Sequence, residues 1–265
     1  MAIGQSTGSE AAPIALVTGG AARIGRAIAT GLAADGWSVV IHANRSLAAA
    51  RDLAACLTTD RAPAFAVEAD LCDPEAPERL VGAAVAMAGG VPDLVVNNAS
   101  VFDYDDAASQ TPDNWRRQMT VNATAPMMIS RAYYRRTAAG KGVASGGAIV
   151  NILDTKVFNL DGRFLSYEVS KATLLAITLS TARAYAPHVR VNAVAPGLTL
   201  PSGRQSEADF VAAHTLNPLG MGAAPDQIAR AVVMFATTPG LTGQILAVDG
   251  GEALAGADPS VFEAM

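Results

Sequence analysis

The sequence predicts a doubly wound α/β fold on a parallel sheet. Three observations predict it. Short runs of Val, Ile, Leu and Ala alternate with longer Ala- and Leu-rich stretches of helical period; the runs are apolar throughout; and the first of them ends in a glycine-rich turn. Strands apolar on both faces belong in a parallel sheet with helices on either side. Right-handed strand–helix crossovers then give a Rossmann-like architecture of about seven strands in the order 3-2-1-4-5-6-7.

The run 14–18 reads as the first strand and 23–35 as the helix after it. Strands at 37–42, 64–68 and 93–96 follow, with helices at 46–57, 75–88 and 114–137. A fifth strand at 148–153 leads into a helix at 164–186, a sixth runs over 189–194, and a seventh over 245–248. No Pro-, Gly- or Ser-rich linker divides the chain, so residues 13–265 are expected to form one domain after a flexible tail at 1–12. The segment 198–219, punctuated by Pro201, Gly203 and Pro218, reads as a loop over the site.

With 265 residues, 51% hydrophobic and 16% charged, the chain can bury a large core and is not of disordered composition. Its net charge of -5 comes without any Lys/Arg run, which argues against nucleic acid or an anionic membrane as partner. No apolar stretch has bilayer length, and the N-terminus lacks the pattern of a targeting peptide. Cys56 and Cys72 read as free thiols in a reducing compartment, and a cytoplasmic location is expected. His42, His188 and His214 lie on separate elements without companion acids, so no metal site is expected.

Between the first strand and first helix stands Thr18-Gly19-Gly20-Ala21-Ala22-Arg23-Ile24-Gly25. Glycines there let the backbone approach a pyrophosphate at a helix N-terminus, although such turns also serve as plain connections. The second strand ends His42-Ala43-Asn44-Arg45-Ser46, without the acid that would hold a ribose 2′-hydroxyl. Arg45 and Ser46 suit a 2′-phosphate, and hence NADPH; alternatively Arg45 is a solvated cation and Ser46 an N-cap. Asp70 is placed either to meet an adenine edge or to cap a turn.

Tyr167 and Lys171, four residues apart, fall on one helix face directly after the fifth strand. An ammonium nearby favours phenolate, so the Tyr167 pKa is expected to fall toward a range useful for proton transfer.

These motifs, with Asn97-Asn98-Ala99, Asn122, Pro196-Gly197 and Val248-Asp249-Gly250-Gly251, resemble the short-chain dehydrogenase/reductase family over nearly the whole chain. The resemblance implies that Tyr167 donates a proton, that Lys171 holds the nicotinamide ribose, and that Asn122 anchors a relay water. It implies a cofactor site of Thr18, Gly19, Arg23, Ile24, Gly25, Asn44, Arg45, Ser46, Asp70, Leu71, Asn97, Asn98, Ala99, Ser100, Lys171, Pro196, Gly197 and Thr199. It also implies a homotetramer, with the helices at 114–137 and 164–186 forming one interface.

One departure is informative. About 13 residues before the Tyr, where the family has a catalytic Ser, this chain has Asp154. An ionised acid repels a developing alkoxide but can hydrogen-bond ring nitrogens or exocyclic NH groups. With Arg23, His42-x-x-Arg45-Ser46 and Asn97-Asn98-Ala99-Ser100-x-Phe102, it is similar to the pteridine reductase branch, which includes dihydromonapterin reductases. That branch implies Phe102 stacking on a pterin, with Arg23, Ser100, Asp154 and Tyr167 as further substrate contacts. A carbonyl or 3-oxoacyl reductase, and a non-catalytic NADPH-binding regulator, remain the alternatives. Trp37 and Trp115 read as packing residues, and Asp103, Asp105 and Asp106 as a solvated loop face or a pocket rim.

Overall fold

The computed structural model describes residues 11–141, 146–201 and 206–255; Gly203 and most of the expected tail lie outside them. Seven strands form one sheet: β1 (Ile14–Val17), β2 (Ser38–Ala43), β3 (Ala64–Glu68), β4 (Leu94–Asn97), β5 (Gly147–Ile152), β6 (Val189–Pro196) and β7 (Ile245–Val248). The order is β3-β2-β1-β4-β5-β6-β7 and every pairing is parallel, as the pattern predicts.

Strand alternation sorts the core into two layers. Ala15 and Val17 of β1 face Ile28 and Leu32 of α1 (Arg23–Ala34) and Ile228, Val232 and Phe235 of α8 (Pro225–Thr237). Leu16 faces the other way, toward Leu80 of α3 (Ala76–Ala88) and Ile129 of α5 (Ala125–Arg136). Each of the larger of these side chains, Val, Leu, Ile or Phe, stabilises the fold by about 2 kcal/mol on burial. Strand order reverses between β1 and β4, so the crevice beyond their carboxyl ends is where this architecture places a ligand.

The long helix expected at 114–137 is in fact two, α4 (Pro112–Met119) and α5, joined by a π turn at Thr120–Thr124. Pro126 lacks the N–H that would close an α-helical bond onto the Asn122 carbonyl, and the ladder widens there. Three helices, one of them only four residues long, were not anticipated. Within the segment expected to be a loop, α7 (Glu207–His214) starts at Ser206, whose hydroxyl accepts the Asp209 N–H. Helix α8 opens with Pro225 at its first position. The remaining helices are α2 (Leu47–Leu57), α6 (Leu165–Ala184) and the short α9 (Glu252–Ala255). No helix among the described residues is long and apolar enough to cross a membrane.

Candidate active site

The glycine turn is built by close approach. A Cβ on Gly25 would stand 2.1 Å from the Gly19 carbonyl oxygen and 2.5 Å from Asn98 Nδ2, and Gly19 itself has φ +62°. Only glycine fits the first position and only glycine takes the second without strain. Thr18, Asn98 and His42 brace the turn from below. Thr18 Oγ1 accepts the amides of Asn98 and Ala99, and Asn98 Nδ2 donates to the carbonyls of Thr18 and Gly19. His42 Nδ1 accepts the Gly19 N–H, so its Nε2 carries the proton and donates to Ala69 O at 3.0 Å. Burial pushes the His42 pKa down, keeping the ring neutral in this role. The side chains of Thr18 and Asn98, expected to touch a cofactor, are therefore engaged in shaping the turn.

Arg23 has φ +52°, a left-handed conformation at the place where the family usually carries glycine. Its guanidinium reaches across to the Pro201 carbonyl at 3.0 Å, tying the turn to the start of segment 198–219. Ala22, the N-cap of α1, has no side chain to cap the helix, and among the described residues no side chain bonds its first amides.

At the end of β2, Arg45 and Ser46 are exposed, and no hydrogen bond from the Ser46 side chain caps α2. Ser46 thus occupies the N-cap position, as the alternative reading had it, but through its backbone and not its hydroxyl. Asp70 resolves the other way: Oδ1 accepts Asn44 Nδ2 and the Cys72 amide, so it caps a turn and engages Asn44. Leu71 points into the core. Ile24 packs against the other layer.

The residues expected to be catalytic meet above β5. Tyr167, buried near the start of α6, donates its hydroxyl to Asp154 Oδ2 at 2.8 Å. Asp154 Oδ1 accepts the Lys156 amide, starting the 3-10 turn Thr155–Phe158, so one carboxylate caps the strand end and grips the phenol. Lys171 Nζ donates to Ile152 O at 2.9 Å and lies 5.6 Å from the Tyr167 ring centroid. The expected fall in the Tyr167 pKa is overturned. Burial, the Asp154 charge and its hydrogen bond, and the Glu168 charge together hold the phenol well above its usual range. Burial likewise pushes Lys171 down to about 8, opposed by Asp154. The phenol therefore keeps its proton at neutral pH.

Asn122 sits in the π turn, and its side chain is fully engaged. Nδ2 donates to Val101 O and Ser170 Oγ, while Oδ1 accepts the Val101 amide and the Ser100 hydroxyl. It clamps the loop after β4, and its side chain has no valence left for a relay water. Thr199, buried, donates its hydroxyl to Gly197 O. Gly197, beyond Pro196, is packed so closely that a Cβ would lie 2.7 Å from Glu252 Oε2.

Phe102 is 41% exposed, with its ring edge-on to Tyr167 at 4.6 Å and stacked on Phe164 at 4.3 Å. Phe164, at φ +56°, went unnoticed in the sequence because nothing local marks it. Behind it, the largely buried Lys156 ammonium contacts Asp161 and the buried Glu168, each at 3.0 Å, pinning 155–163 to α6. The acid run after Phe102 divides. Asp103 pairs with Arg117, Asp106 closes a turn with Ser109, and Asp105 is only 1% exposed, against the expectation of a solvated face or a rim. Trp37 is buried, whereas Trp115 stands 36% exposed.

The model of the short chain dehydrogenase family matches residues 13–210. The chain belongs to the short chain dehydrogenase family. As such it is an oxidoreductase. It is 34% identical, over 93% of its length and 98% of the relative's, to a Streptomyces violaceoruber protein named as ketoacyl reductase 2 of the granaticin polyketide synthase. It is 30% identical to pteridine reductase 1 of Leishmania tarentolae, over 94% of this chain and 99% of that protein. Among solved structures, FolM alternative dihydrofolate reductase 1 from Brucella suis, in complex with NADP, superposes with a TM-score of 0.86 at 37% identity. That match covers 94% of this chain and 98% of the other.

Proposed function

We propose that this short-chain oxidoreductase is an NADPH-dependent reductase of a dihydropterin ring, folded as one reductase domain over residues 13–265. The observation that carries this reading is the Tyr167–Asp154 hydrogen bond, with a carboxylate where the family has a neutral hydroxyl. The exposed face of Phe102 beside it offers a flat surface for a heterocycle. Pteridine reductase 1 and the two Brucella FolM structures, each with NADP, stand among the relatives and support it.

The residues fit the cofactor. A cradle that a Cβ on Gly25 would fill, beside the uncapped start of α1, suits a pyrophosphate. Arg45 and Ser46 would hold the 2′-phosphate; Lys171 the nicotinamide ribose; and Ala99, Pro196, Gly197 and Thr199 the nicotinamide end. NADPH supplies a hydride to a ring carbon. Tyr167 delivers the accompanying proton to the adjacent ring nitrogen, so that NADPH, one proton and a dihydropterin become NADP+ and a tetrahydropterin. Asp154 orients the phenol and hydrogen-bonds NH groups of the ring, with Ser100 and Arg23 at its margin. A phenol of raised pKa keeps its proton until a strong base develops on the substrate.

Turnover of dihydrobiopterin or dihydromonapterin, followed by NADPH absorbance, tests the reading; absence of both turnover and pterin binding would sink it. The second reading, a carbonyl or 3-oxoacyl reductase, is favoured by the ketoacyl reductase relative. Asp154→Ser separates the two. Pterin turnover falls by roughly 100-fold on our reading, whereas retained or improved ketone reduction supports the second. We place the enzyme in the cytoplasm as a homotetramer, which light scattering checks.

A further inference from the structure

Helix α6 carries both Tyr167 and Lys171, yet its own sequence supplies no cap. Its N-cap position is Phe164, whose side chain accepts no hydrogen bond. The first two amides of the helix are satisfied instead by a single residue far upstream. Leu165 N–H donates to the Asp105 carbonyl at 3.0 Å, and Ser166 N–H donates to Asp105 Oδ1 at 2.9 Å. The other carboxylate oxygen accepts the Ser166 hydroxyl and, at 2.9 Å, Asn114 Nδ2. A buried carboxylate is tolerated only when its oxygens are matched by donors, and the positive end of a helix favours its charge. Asp105 therefore acts as an N-cap supplied from another part of the chain.

Asp105 also lies within the loop that bears Phe102, three residues further on. That loop is held along its length by three amides at successive turns: Asn114 on Asp105, Gln118 Nε2 on the Asp103 carbonyl at 3.0 Å, and Asn122 on both backbone atoms of Val101. Their spacing of four puts them on one face of α4 and its continuation. From the opposite side, Ser166 and Ser170, which flank Tyr167, bond Asp105 and Asn122. The loop is thus sandwiched between an amide ladder and the catalytic helix.

We propose that Asp105 is a positioning residue that sets the distance between the Phe102 ring and the Tyr167 hydroxyl, by joining the loop of one to the first turn of the helix carrying the other. The part played by Phe102 rests on the pterin reading; the placement of Tyr167 does not. Misplacing a reacting group by about 1 Å costs on the order of 100-fold in rate.

The test is a double-mutant cycle of Asp105→Asn with Phe102→Ala on the full chain, following kcat/KM for dihydrobiopterin and NADPH affinity by fluorescence. In the carboxamide, an NH2 must face a donor where an oxygen stood. We expect Asp105→Asn alone to lower kcat/KM by roughly 30-fold with NADPH affinity held within about twofold, and to cost much less in the Phe102→Ala background. An unchanged kcat/KM, a parallel loss of NADPH affinity, or strict additivity with Phe102→Ala overturns the proposal. Should Asp105→Asn not fold, Ser166→Ala, which removes one of the donors, is cycled with Phe102→Ala under the same criteria. If the wild-type protein reduces no pterin, the functional reading fails. The cycle is then read on whichever ketone it does reduce: Asp105→Asn must lower kcat there through Tyr167, and an unchanged kcat overturns the positioning role.

Discussion

Helices α1 and α6 begin alike and end up with opposite duties. Each opens on a non-glycine residue at positive φ, Arg23 at +52° and Phe164 at +56°, and neither start is capped by a side chain of its own. At α1, beside the close-packed Gly19 and Gly25, no side chain among the described residues bonds the first amides. At α6 they are occupied by Asp105. The difference teaches that an uncapped helix start is a ligand site only where the protein leaves its donors exposed. The same backbone geometry, once covered by a buried carboxylate, becomes a fixed mount for Tyr167 and Lys171.

The largest expected effect comes from closing the first of these two ends. Gly25→Ala puts a methyl against the Gly19 carbonyl, and NADPH affinity should drop by roughly 100-fold or more in a fluorescence titration. Wild-type affinity would break the comparison outright. On α6, burial lowers the Lys171 pKa to about 8, so its charge is present below that pH and lost above it. A pH–rate profile should therefore show kcat/KM falling by roughly tenfold per unit on the alkaline side. A limb displaced to pH 10 would assign it to another group.

Arg45→Ala sharpens the reading of the nucleotide end: the preference for NADPH over NADH should shrink by about 10-fold, with NADH kinetics little changed. A smaller effect concerns the brace beneath the turn. The folded pKa of His42 lies below its unfolded value, so its contribution to stability is present above about pH 6.5 and is lost as pH falls through the folded pKa. The melting midpoint should decrease between pH 7 and pH 5, and His42→Gln should flatten that dependence. Least of all, Arg23→Gly removes a left-handed side chain together with its bond to Pro201, and should change stability by no more than about 1 kcal/mol. Phe164→Gly should cost more, because its ring stacks on Phe102.

What could be read from the sequence followed the range of the forces involved. The strands and their order were legible because both-face apolarity and alternation are local and periodic. Gly25, Tyr167, Lys171 and Asp154 were legible because their chemistry is tied to a strand end or a helix start. The π turn was not read, although Pro126 marks it. Helix α8 was missed despite Pro225 and the apolar spacing Ile228, Val232, Phe235. Asp105 was misread for a deeper reason. Three acids in four residues look solvated, and nothing local tells that Ser166 and Asn114 will converge on one of them. The pKa of Tyr167 failed similarly, since burial and Asp154 outweigh a lysine whose ammonium is turned toward a backbone carbonyl.

The borrowed cap on α6 has a consequence for how the chain assembles. Asp105 and Ser166 are 61 residues apart, so the helix start is secured only after β4, its loop and α4 have docked. Contacts that span so much chain carry a loop-closure cost and form late relative to local ones. Tyr167, the proposed proton donor, thus acquires its final position as a product of tertiary folding, and a fragment beginning after Asp105 would carry Tyr167 and Lys171 on a helix with a frayed first turn.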